Sequence, residues 1–220
     1  MSSAILTRFQ MLTYQIAISF LGIAILLALA PGPDNLFVLL QAALWGKAAG
    51  MVVVLGLCTG LIGHTVAVAV GLAAIFATSE TAFTVLKLAG AAYLLYLAWG
   101  AFRAPAIVEI TGTAQTPRLP YFALYRRGII MNLTNPKVSL FFLAFLPQFT
   151  SASRGSLALQ TISLGALFMV ATLLVFGAIA FFSGAFGQTL RKSARVQRWL
   201  NWVAGIVFVG LALRLVLSQR

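Results

Sequence analysis

The sequence predicts an all-α polytopic membrane protein, six transmembrane helices forming two inverted three-helix repeats, with helices 1 and 4 broken. Three observations carry that expectation. Of 220 residues, 61% are hydrophobic and 8% charged, against ~45–50% and ~25% in a soluble domain. The apolar residues gather into six continuous stretches, and the first and fourth of these are interrupted near their middles by proline motifs.

The stretches fall at about Tyr14 to Leu44, Gly50 to Ala77, Ala82 to Phe102, Tyr125 to Leu146, Leu157 to Phe186 and Trp199 to Leu217. Each meets the ~20 residues that cross a bilayer as a helix. Lipid offers the backbone no hydrogen-bond partner, so a span is a helix or part of a closed barrel. Barrel strands alternate over ~10 residues, whereas these runs are continuously apolar, so helices are expected. Arg8, the run Ile16 to Ala30 and the trio Ala28-Leu29-Ala30 resemble a secretory signal. Pro31 follows the would-be cut and apolar segments continue beyond it, so a retained first helix is the expectation.

The longest connection, Arg103 to Leu124, contains Pro105, Pro117 and Pro120. It divides a single membrane domain, 1–220, into a first repeat, 14–102, and a second, 125–217. An odd number of spans per half makes the second half enter the membrane from the opposite face.

A formal charge of +12 would suggest nucleic acid in a soluble protein. Sorted by loop, nine basic residues lie on one side, among them Lys47, Arg103, Arg118, Arg126, Arg127 and Arg191; four, Arg8, Arg154, Arg214 and Arg220, lie on the other. The positive-inside rule puts the nine in the cytoplasm and both termini outside. Charge spread through separate loops argues for membrane anchoring and against nucleic acid. Cys58 is the only cysteine and His64 the only histidine, beside three acids. A disulfide, a metal site, a cofactor and an enzymatic active site are therefore not expected.

The residues with most to say are Pro31, Gly32, Pro33, Asp34 and Asn35. Two prolines around a glycine open a helix, freeing carbonyls of its first half and N–H groups of its second. Asp34 sits at that break. A carboxylate in mid-membrane costs ~2.5–3.5 kcal/mol on insertion scales, so it faces a wet cavity, is protonated, pairs with a cation, or caps the half-helix that follows. Asn135, Pro136 and Lys137, after Thr134, interrupt helix 4 at the comparable place. Two interrupted spans at matching positions form the pattern of a transporter's binding site. Lys137 either snorkels or serves the cavity, and an Asp34–Lys137 pair is a third arrangement.

Gly56, Gly60 and His64 recur every four residues on helix 2, with Gly63 beside them. Small residues at this spacing let helices pack closely, within the fold or in a homodimer. His64 is either a proton relay, alongside Asp34, or a histidine bonded to a neighbour.

These motifs, with Lys87-Leu-Ala-Gly-Ala-Ala-Tyr-Leu-Leu-Tyr-Leu at 87–97 and the run from Asn135 to Phe149, resemble the lysine-exporter (LysE/RhtB) family, its threonine and homoserine efflux branch above all. The resemblance implies a bacterial inner-membrane exporter of amino acids or close derivatives, powered by proton antiport, with amino acid, protons and lipid as partners. Its motif residues correspond to Pro31, Gly32, Pro33, Asp34, Asn135, Pro136 and Lys137. Homoserine, threonine or another neutral amino acid is the expected substrate. The alternative is a divalent-cation exporter of related architecture, which would want several intramembrane acids. On the transport reading, Asp34 and carbonyls near Leu29 and Ala30 receive the substrate's ammonium, and the half-helix N-termini with Asn135 and Lys137 receive its carboxylate.

Overall fold

The computed structural model describes residues 12–30, 32–78, 80–104, 119–183 and 194–217. Pro31 and most of the 103–124 connection lie outside them. Among the described residues there is no strand and there are eight α-helices: α1 Tyr14–Leu29, α2 Pro33–Trp45, α3 Lys47–Thr78, α4 Glu80–Arg103, α5 Tyr121–Leu133, α6 Pro136–Leu140, α7 Leu157–Phe181 and α8 Ala194–Leu217.

Helices α3 and α7 each contribute 25 residues apolar enough to cross a membrane; α1 with α2, and α5 with the segment through Phe149, do so as bent pairs. The axes of the first pair meet at 66° and those of the second at 48°. Large apolar side chains cover the outer surface, including Val70, Tyr96, Trp99, Leu174, Trp199 and Leu213. Water does not tolerate so large an apolar surface; lipid does. The chain is an all-helical polytopic membrane protein.

Local chemistry sets most boundaries. Thr13 caps α1, its Oγ1 accepting from Ile16 N at 3.4 Å. Gly46, at φ 87°, turns the chain between α2 and α3, a conformation that a side chain would strain. Pro120 precedes α5, which starts at Tyr121 rather than Tyr125; the residues of its first turn, Tyr121 and Phe122, are exposed. After α6 the chain widens into a π-helical turn, Phe141–Phe145, then tightens into a 3₁₀ turn, Leu146–Phe149, that carries Pro147. This irregular stretch packs Phe141, Phe142, Phe145 and Phe149 around Phe20 of α1 and Phe168 of α7, with ring centroids 5.0–6.5 Å apart.

Helix α3 lies along α5 as α7 lies along the α1–α2 pair, while α3 with α7, and α4 with α8, pack across the middle. At one end of the molecule Lys47 sits 4.7 Å from the Phe181 ring, and Phe102 meets Trp202. At the other end Arg154 donates to Phe149 O and Arg214 covers the Phe149 ring. Two buried cores result, one around the phenylalanine group and one around Val38, Val53, Leu57, Leu124 and Phe176. They meet at the helix breaks.

Candidate substrate site at the joined helix breaks

The two breaks face each other. Asp34, in the first turn of α2, is 3% exposed, and Asn135 and Lys137 are buried with it. Asn135 Nδ2 donates to Asp34 Oδ2 at 2.5 Å, a bond between residues 101 positions apart. The same carboxamide's Oδ1 accepts from Lys137 N at 3.0 Å, which caps α6. Asn135 thus holds Asp34 with one end and starts a half-helix with the other.

Lys137 does not form an ion pair with Asp34. Its Nζ donates to Leu27 O at 3.2 Å and Ala30 O at 3.1 Å. Those carbonyls belong to the end of α1, where the break removes their intrahelical partners. Of the carbonyls near Leu29 and Ala30 expected to face a substrate ammonium, that of Ala30 holds the chain's own ammonium in this structure. The cause is electrostatic, since a helix C-terminus carries partial negative charge and attracts a cation. Asn35 reaches back over the same break, its Nδ2 donating to Ala28 O at 2.8 Å. Gly32 supplies no side-chain cap to α2, and Lys137 Nζ lies 3.4 Å from where its Cβ would be.

A cavity of about 20 Å³ opens at this joint, lined by Asp34, Asn132, Lys137 and Thr172 among apolar Leu57, Val138, Phe168 and Phe176. A water occupies ~10–15 Å³ on the same measure, so the space takes a water or an ammonium head and not a whole amino acid. Asp34 Oδ1 and Asn132 Oδ1 are buried and have no hydrogen-bond partner.

Asn132 and Thr172 were not expected from the sequence. The available signal was Asn132 in an otherwise apolar run, three residues before Asn135. Helix α3 explains its placement. A Cβ on Gly60 would lie 2.7–3.0 Å from the Asn132 side chain, and one on Gly56 would collide with the backbone of α5 at Tyr125. Gly63 is exposed, although a Cβ there would meet Leu133 at 3.1 Å. The glycine face of α3 is occupied by α5 of the same chain. His64, one turn further, donates Nε2–H to Asn132 O at 3.2 Å and rests its ring 5.5 Å from Phe142. The structure therefore gathers Asp34, Asn135, Lys137, Gly32, Asn35 and Gly60 around one point, places His64 at its edge, and exposes Pro33 and Pro136 on its outer side.

No solved structure matches the chain. Its sequence relatives cover nearly its whole length. A homoserine/homoserine lactone efflux protein of Salmonella typhimurium is 32% identical over 90% of this chain and 94% of its own. A leucine efflux protein of Salmonella choleraesuis is 32% identical over 89% and 92%. An uncharacterised membrane protein of Bacillus subtilis is 28% identical over 91% and 98%. The LysE type translocator family matches residues 8–219. With two opposed helix breaks, one buried acid and one buried base at their joint, and that match over nearly every residue, the chain belongs to the LysE family of translocators, which are transporters and not enzymes.

Proposed function

We propose that the protein exports neutral, zwitterionic amino acids or close derivatives across the bacterial inner membrane in exchange for protons, with homoserine, threonine and leucine as the first substrates to try. One observation carries this reading: a buried carboxylate with an unused oxygen and a buried ammonium line the same cavity at the joint of two broken helices. A zwitterion needs one of each. Asp34 Oδ1 accepts from the substrate's ammonium. Lys137 has three N–H donors, two given to Leu27 and Ala30, and the third serves the substrate's carboxylate. The two side chains sum to no net charge, so a zwitterion adds none. A basic amino acid would leave a positive charge uncompensated in a low-dielectric site.

The small volume of the cavity describes a closed state. Binding a whole amino acid requires the two halves to part along the Asp34–Asn135 contact, first towards one side of the membrane and then the other, as in alternating access. Protonation of Asp34 from outside releases the ammonium and couples export to the proton gradient. The basic end of the molecule faces the cytoplasm and the termini face outside. A divalent cation is bound by several carboxylate or carbonyl oxygens; a single carboxylate beside a lysine serves one poorly.

The experiment is efflux or counterflow of labelled amino acids from proteoliposomes with an imposed pH gradient. Neutral amino acids are expected to move faster when the outside is acidic, and Asp34→Asn is expected to abolish that dependence. Normal transport by Asp34→Asn with an unchanged pH profile contradicts the coupling.

A further inference from the structure

We infer that Asn132 is a specificity-determining residue that, with Asp34, selects substrates carrying a primary ammonium. The inference rests on the efflux reading above and deepens it. Asp34 Oδ1 and Asn132 Oδ1 are both buried, both without a partner, and both belong to residues lining the same small cavity. A buried acceptor without a donor loses ~1–3 kcal/mol of hydration, so each of the two calls for a donor, and one group in the cavity that they share could serve both. Lys137 lines the same space, but its ammonium is seated on Leu27 O and Ala30 O. His64 meets Asn132 only at its backbone oxygen. Asn135 gives its amide to the other oxygen of Asp34. The two free oxygens remain for the ligand.

An ammonium head fits on two counts. It is about the size of a water, which the cavity admits, and it carries three donors where a hydroxyl carries one. Gly60 belongs to the same device, since any Cβ there would press on the Asn132 carboxamide at 2.7–3.0 Å. Methylating the substrate nitrogen leaves two N–H donors but sets a methyl group among them, so the nitrogen no longer approaches both oxygens. Discrimination between a primary and an N-methylated amine is therefore the signature of this pair.

The test is binding and efflux of labelled L-threonine and L-leucine against their N-methyl derivatives, in wild type, Asn132→Leu and Asn132→Asp. Wild type is expected to prefer the primary amine at least tenfold. Asn132→Leu, which keeps the size and removes the acceptor, is expected to weaken the primary amine by about 10–100-fold, the value of a hydrogen bond to a charged group, and to lose the preference. Asn132→Asp is expected to keep or tighten primary-amine binding. Asn132→Leu with unchanged affinity and preference overturns the inference and leaves efflux standing, as does a loss beyond about tenfold in folded Asn132→Asp, which carries the test if Asn132→Leu does not fold. An inorganic cation in this place would leave the preference of Asn132→Leu intact and is excluded by its loss. Wild type moving neither amino acid overturns both readings.

Discussion

At the first break the residue after the proline is an acid, Asp34; at the second it is a base, Lys137. The residues before the two prolines differ as sharply. Asn135 caps its own half-helix, whereas Gly32 caps nothing. The second break is satisfied mainly from nearby: Asn135 N donates to Asn132 O and Thr134 to Ile130 O, with His64 of α3 adding a second donor to Asn132 O. The first break borrows. Its carbonyls at Leu27 and Ala30 are held by Lys137 from the other half of the chain, and only Ala28 is served from nearby, by Asn35. The first break is thus the dependent partner. Its geometry depends on Lys137 and Asn135 of the other break.

The largest effect that would break this comparison is at Asp34. Asp34→Asn removes the buried carboxylate that accepts from Asn135 and lines the cavity, and transport is expected to fall by two orders of magnitude or more in proteoliposomes. Next comes Lys137→Met, which strips the donors from two buried carbonyls at ~1–3 kcal/mol each. Thermal unfolding in detergent is expected to show this loss although the substituted residue lies on the better-capped break. Equal stability of Lys137→Met and wild type would mean that the first break does not borrow.

Asn135→Ala is expected to rank third. It removes the cap of α6, worth ~0.5–2 kcal/mol, and the donor to Asp34 together, so stability and transport fall in one variant. Gly60→Ala, an overpacking change of ~1–3 kcal/mol, is expected to raise KM more than it lowers stability, because the atoms displaced are those of Asn132. Gly32→Ala is the smallest. Its Cβ would sit 3.4 Å from Lys137 Nζ, an ordinary contact, and φ is −160°, open to any residue. Less than about threefold change in transport is expected on those packing grounds.

How much of this was legible beforehand follows from the range of each interaction. Prolines act on their own helix, so both breaks, and the exceptional standing of Asp34 and Lys137, could be read from 31–35 and 134–137. Helix periodicity likewise gave the glycine face of α3. What Lys137 binds could not be read. The carbonyls of Leu27 and Ala30 lie more than 100 positions away, and only docking of the halves selects them over Asp34. Asn132 is not legible in the sequence because its meaning comes from Gly60 on another helix. Nor is the π-helical turn at Phe141–Phe145, because continuous apolar sequence looks the same in any helical register.

The two helix breaks meet in one site, in which a carboxylate and a carboxamide face each other. Exchanging those two groups tests it most directly. Asp34→Asn alone removes the charge, and Asn135→Asp alone opposes two carboxylates at hydrogen-bond distance, so both are expected to be inactive. The combination of Asp34→Asn with Asn135→Asp restores one carboxylate, one carboxamide and an acidic cap for α6. Amino acid efflux from proteoliposomes is predicted to return to about a tenth of wild type or more, within the ~1.4 kcal/mol that a tenfold difference represents. A double variant as inactive as either single one would contradict the claim.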